Sequence, residues 1–122
     1  MVWSAVLSIL EHWGPLADVI AYEDVIRHSS VWAAHLYGGQ IAHIQWWAHQ
    51  NRKQFCPVPV QTVKRALGSK ASGKAKLTEQ VKAAHRLGYT DVKDSNEADA
   101  VGIALGCLWM ILTSESQSCE TH

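Results

Sequence analysis

The sequence contains no CxxC pair, no HxxxH or HExxH pattern, no internal repeat and no net charge. Its three cysteines, Cys56, Cys107 and Cys119, stand far apart and leave an odd one over, which suggests neither a disulfide framework nor a zinc cluster. A reducing compartment fits that usage. His28, His35, His43 and His49 lack the spacings that set two imidazoles on one helix face, so they read as partly buried or surface residues rather than ligands. Cys56 has no recognisable partner base and gives no nucleophile signal. The opening stretch "MVWSAVLSILEHWG" has no basic region and carries Glu11 and His12 too early for a signal peptide or a membrane span. These absences point to a cytoplasmic chain without membrane contact.

What is present is enough for one modest core. The chain has 122 residues, of which 48% are hydrophobic and 18% charged, and the expectation is a single domain over 1–122 with a flexible polar tail from 113. The neutral total hides two opposed parts. Residues 52 to 86 hold nine basic side chains against Glu79 alone, whereas the remainder has two basic and ten acidic residues. A basic block beside an acidic remainder suits a protein that grips a polyanion and gathers carboxylates at a cation-dependent site, although a solvated lysine-rich loop has the same composition.

Hydrophobic periodicity gives the order α β α β α α α. "SAVLSILEHW" sets Val6, Ile9, Leu10 and Trp13 on one helix face, and Gly14-Pro15 ends it. "LADVIAYEDV" reads as a strand near Asp18 to Glu23, its continuous apolar run suiting burial on both faces in an α/β sheet. From Ser29 or Ser30 as N-cap, a long helix offers Val31, Ala34, Leu36, Ile41, Ile44 and Trp47 for burial, with Gly38-Gly39 indicating close approach of another backbone. "CPVPV" is a brief extended piece whose prolines argue against a central strand. "VQTVKRAL" is a short helix and "GSKASGKAK" a basic loop. "LTEQVKAAHRLG" is a helix capped by Thr78 and closed by Gly88, and the last helix runs from about Ser95 to Leu112.

Two carboxylates are oddly placed. In "DSNEADAVGIALG", Asp94 and Glu97 have capping-box spacing and suit the helix dipole, so an ordinary cap explains them. Asp99 lies beyond the amides a cap serves, among core-like neighbours, where a carboxylate is costly unless water, a cation or hydrogen bonds satisfy it. Asn96, three residues earlier, projects from the same face. Glu23 ends the predicted strand, where ligands gather in open α/β sheets. Together the two acids could hold a hard divalent cation.

The sequence of "VIAYEDV", a helix containing "LYGGQIA", "PVQTVKRALGSKASGKAKLTEQV" and "NEADAVGIAL" resembles, in order and spacing, the RuvC-type Holliday junction resolvases of the RNase H-like superfamily. The similarity runs from the first helix to about Leu112. It implies an α/β, RNase H-like (RuvC-like) domain, N-terminally truncated, with helices packed on a small remaining sheet. Glu23 matches the family's strand-end acid and Asp99 its final helix aspartate, both as catalytic metal ligands. Asn96 falls where many members have another aspartate, and Asn96 or Glu97 is expected to assist as a metal ligand. Lys64 matches the "VK" lysine and Lys76, more loosely, the lysine of the family's glycine-bearing loop. With Lys70 and Lys74 they are expected on DNA phosphate. The implied cofactor is Mg2+ or Mn2+, and the implied partners are branched DNA and a second copy of the chain.

Two departures bear on activity. The family's first strand, with its "xDxG" aspartate, has no counterpart here, and Asn96 lacks the charge of the residue it replaces. Without that strand, the one ending at Glu23 exposes an unpaired edge, so a separate N-terminal segment or another chain is expected to cover it. Trp32, Trp46 and Trp47 fit a core or a dimer interface better than base stacking. The favoured function is a structure-selective DNA endonuclease, with a non-catalytic DNA-binding or assembly module as the alternative.

Overall fold

Six residues of Val19–Asp24 (β1) pair in parallel with Gln54–Pro59 (β2), in register from Val19 opposite Gln54 to Asp24 opposite Pro59. The computed structural model describes residues 2–68 and 74–113, with residues 2, 3 and 74–78 described in their backbone alone. A parallel pair needs a long crossover, and the helix Val31–Gln50 (α2) supplies it. Before the pair stand the helix Val2–Trp13 (α1) and a 3-10 turn, Gly14–Leu16; after it come Val60–Leu67 (α3), Lys74–Arg86 (α4) and Ser95–Thr113 (α5). Among the described residues β2 is the only strand that pairs with β1.

Pro57 and Pro59 cannot donate to the ladder, so β2 must bond β1 through the other parity, that of Cys56 and Val58, and the prolines turn their missing N–H groups outward. That permits β2 to be an edge strand of six residues, longer than the piece its prolines suggest.

The same alternation sorts the side chains. Cys56 and Val58 join Val63, Leu67, Ala83, Ala84, Ala98 and Cys107 in the core, with Val19 and Ala21 packed against it. This face of the sheet therefore carries α3 and α5, with α4 packed against them. Tyr22, of opposite parity, accepts a hydrogen bond from Gln45 of α2 at 2.9 Å, so α2 covers the other face. Small residues let α5 lie close: a Cβ on Gly102 would meet Val63 Cγ1 at 2.8 Å, and one on Gly106 would meet Val58 Cγ1 at 2.9 Å. Trp47, 1% exposed, anchors the α1–α2 side, its ring against Gly14 and its Nε1 donating to Glu11 Oε1 at 2.9 Å.

Helix ends follow local chemistry. Ser30 is the N-cap of α2, its Oγ accepting from Ala33 N at 3.0 Å. α2 and α4 both end in a Schellman motif: Lys53 N reaches Ala48 O at 2.8 Å and Tyr89 N reaches Ala84 O at 3.0 Å. The left-handed position is Gly88 in one (φ 100°) and Arg52 in the other (φ 56°).

Several sequence expectations are corrected. α4 begins at Lys74, so Thr78 lies inside it rather than capping it and the loop "GSKASGKAK" is shorter than expected, its residues 69–73 lying outside the described ones. Thr113 is still helical, its Oγ1 donating to Trp109 O at 2.8 Å, while 114–122 lie outside the described residues. Ile9 and Trp13 are exposed, since only Leu10 of the predicted α1 face is buried, and Val31 at the start of α2 is exposed as well. A Cβ on Gly38 would meet nothing within 4 Å, so no close contact is seen at Gly38 itself.

Candidate functional site

Glu23 is the fifth of the six residues of β1 and has the parity of Val19 and Ala21, so it belongs to the sheet face on which α5 packs. In the register it stands opposite Val58, the residue under Gly106. The strand end is fixed from α2: Tyr37 Oη donates to the Glu23 main-chain carbonyl at 2.7 Å and accepts from Val25 N at 3.0 Å. Burial pushes the Tyr37 phenol up, the Val25 hydrogen bond opposes this, and Asp24, Tyr22 and Glu23 add to the rise. The phenol thus stays a donor.

Asp99 is the fifth residue of α5 and half-buried. Gln80 of α4, 3% exposed, donates from Nε2 to Asp99 Oδ1 at 2.6 Å. Sequence reasoning missed both Tyr37 and Gln80. An aromatic in a long helix and an amide in a polar one carry no local signal of what they will touch.

Asp94 and Glu97 meet at the start of α5. Asp94 Oδ1 accepts from Glu97 N at 2.8 Å, and Glu97 Oε1 accepts from Lys93 N at 2.7 Å, one residue before the amide of a standard capping box. The cap engages both carboxylates. Asn96 is exposed beside them. Lys64 is half-buried in the last turn of α3. Lys70 lies outside the described residues, and Lys74 and Lys76 are described only as backbone in the first turn of α4.

A RuvC-like arrangement implies a divalent cation, and the donors fit one in kind. Glu23 and Asp99 offer hard oxygens, and magnesium is commonly held by one or two carboxylates, the rest of its octahedron being water and substrate phosphate. A pair of cations needs more converging ligands. Among the described residues no three His, Cys, Asp or Glu side chains gather in a way that could hold a metal. A cleft of about 330 Å³ between α3 and α5, lined by Thr62, Arg65, Leu105 and Trp109, has no carboxylate among its described lining residues.

No family model matches the sequence, and no curated protein matches it. Among solved structures, T. thermophilus RuvC in complex with a Holliday junction substrate is similar, with a TM-score of 0.68 and 18% identity over 93% of this chain and 66% of that one. The likeness establishes the class: a mixed α/β, RuvC-like fold, as the motif order implies. The particular member that it superposes on is a junction-bound RuvC, of whose length this chain spans 66%. No helix among the described residues is long and apolar enough to cross a membrane.

Proposed function

We propose that this chain binds branched DNA and acts as a RuvC-like, structure-selective endonuclease module. The observation that carries this reading is the likeness to a resolvase holding a Holliday junction. The basic block of residues 52 to 86 supports it, because neutralising phosphates is the main source of affinity for DNA.

Glu23 and Asp99 would hold Mg2+ or Mn2+, with Asn96 or Glu97 assisting, and Lys64, Lys70, Lys74 and Lys76 would lie along phosphates. The bound cation would supply an activated water and charge stabilisation for phosphodiester hydrolysis. The chain's part is positional. Glu23 shares a sheet face with α5, and Asp99 is tied to α4 within it. Completion of the site would fall to a further strand on the edge of β1 that no other described strand pairs with, brought by another segment or chain and carrying an additional carboxylate. Pairing of two copies is supported by Trp32 and Trp46 on α2, 69% and 56% exposed.

The alternative, a DNA-binding or assembly module without catalysis, is favoured by the small number of gathered ligands among the described residues. One experiment separates the two. The chain is incubated with a mobile four-way junction and with linear duplex, with and without millimolar Mg2+, beside Asp99→Asn. Mg2+-dependent nicking lost in the variant supports the nuclease, and junction-selective, salt-sensitive binding without nicking supports the module. Equal affinity for duplex and junction, or no binding, removes both.

A further inference from the structure

Gln80 is the buried polar side chain of the described core, 3% exposed on a helix whose neighbouring core positions, Ala83 and Ala84, are small and apolar. An apolar residue at 80 would suit that face, and burying an amide is unfavourable unless its groups are bonded. The bond it makes is to Asp99 Oδ1, at 2.6 Å. A carboxylate only accepts, so the amide must turn its NH2 toward Asp99, and the resulting charge-assisted bond sets the plane of the carboxylate from a separate helix. Asp99, one of the two acids assigned to the cation, is thus gripped through its side chain by a buried donor.

We propose that Gln80 is a positioning residue that orients the Asp99 carboxylate for a divalent cation. The proposal rests on the reading of Asp99 as a ligand. Partners that orient metal ligands change affinity by about 10- to 100-fold when removed. A purely structural tie between α4 and α5 would change stability and leave cation affinity alone.

The test is a Mn2+ titration of the isotope-labelled 122-residue chain, following paramagnetic broadening of the Ala98 and Ala100 amide signals. Broadening detects sites filled for only a small part of the time, so a weak site suffices. Asp99→Asn is expected to abolish the local broadening. Gln80→Met, of similar volume but with no donor, is expected to raise the midpoint about 10-fold while the amide spectrum elsewhere stays in place. A Gln80→Met midpoint equal to that of the original chain, with Asp99→Asn silent, overturns the role of Gln80 alone. Undiminished broadening in Asp99→Asn overturns the cation reading, and the role of Gln80 falls with it. Should Gln80→Met not fold, the unaltered chain decides: the Gln80 side-chain NH2 signals must move with Mg2+ at the midpoint of the Ala98 and Ala100 shifts, and stationary signals overturn the proposal.

Discussion

The phenol of Tyr37 donates to the main-chain carbonyl of Glu23 at 2.7 Å, joining the crossover helix to the carboxyl end of the strand it follows. The same oxygen accepts from Val25 N, so one side chain fixes the direction in which the backbone leaves β1. Removing that oxygen with Tyr37→Phe is expected to lower unfolding free energy by about 1 to 2 kcal/mol, measured by urea denaturation at neutral pH. The pH dependence carries a sign as well. Burial raises the Tyr37 pKa above its ordinary 10.0, so its contribution to stability is full below that value and is lost as pH climbs through the raised one. Tyr37→Phe must therefore show a shallower alkaline loss of stability; curves that stay parallel from pH 9 upward by ~2 units contradict this.

Two glycines on helices should respond oppositely to alanine. Gly102→Ala pushes a methyl onto the buried Val63 and Leu67, and overpacking of about 1 to 3 kcal/mol outweighs a propensity gain of about 1 kcal/mol. Its melting temperature should fall. Gly38→Ala meets nothing and should raise it. A fall there, accompanied by loss of a dimer in light scattering, would mean that a second copy of the chain covers Gly38.

Arg52 occupies the left-handed position of a Schellman motif where Gly88 occupies its counterpart. Arg52→Gly relieves a steric cost that is about 1 to 2 kcal/mol for an L-residue, offset in part by the greater freedom of glycine when unfolded. A net gain of about 0.5 kcal/mol is expected, read as a shift of the urea midpoint with unchanged slope. A loss would show that the arginine side chain contributes more than its backbone costs.

Trp47 is the largest fully buried side chain and the link between α2, the Gly14 turn and Glu11 of α1. Trp47→Ala should cost about 3 to 5 kcal/mol. Hydrogen exchange should then report loss of protection across α1 first, while β1, β2 and α5 keep theirs. Uniform loss across all elements would place α1 in the same cooperative unit as the sheet.

Much of the fold is legible in the residues because its signals are local. Ser30 caps α2 and Asp94 caps α5 because a short polar side chain next to the first free amides satisfies them wherever the rest of the chain goes. The strand ending near Glu23 is a run of β-formers bounded by turn residues, and it forms within one residue of the expected bounds. Burial is another matter. Ile9 and Leu10 are adjacent and equally apolar, yet only Leu10 is buried. Periodicity says which side chains share a helix face and not which face meets a neighbour.

By itself the sequence determined the order of helices and strands, the caps at Ser30 and Asp94, the opposed charges of its segments and the identity of the acids at issue, since each depends on residues within a few positions of one another. The tertiary structure alone decided that Glu23 shares a sheet face with α5, that Gln80 grips Asp99 and that prolines can sit in β2. Those outcomes depend on contacts between residues 19 or more positions apart, and the physics of such a contact is absent until folding brings its two halves together.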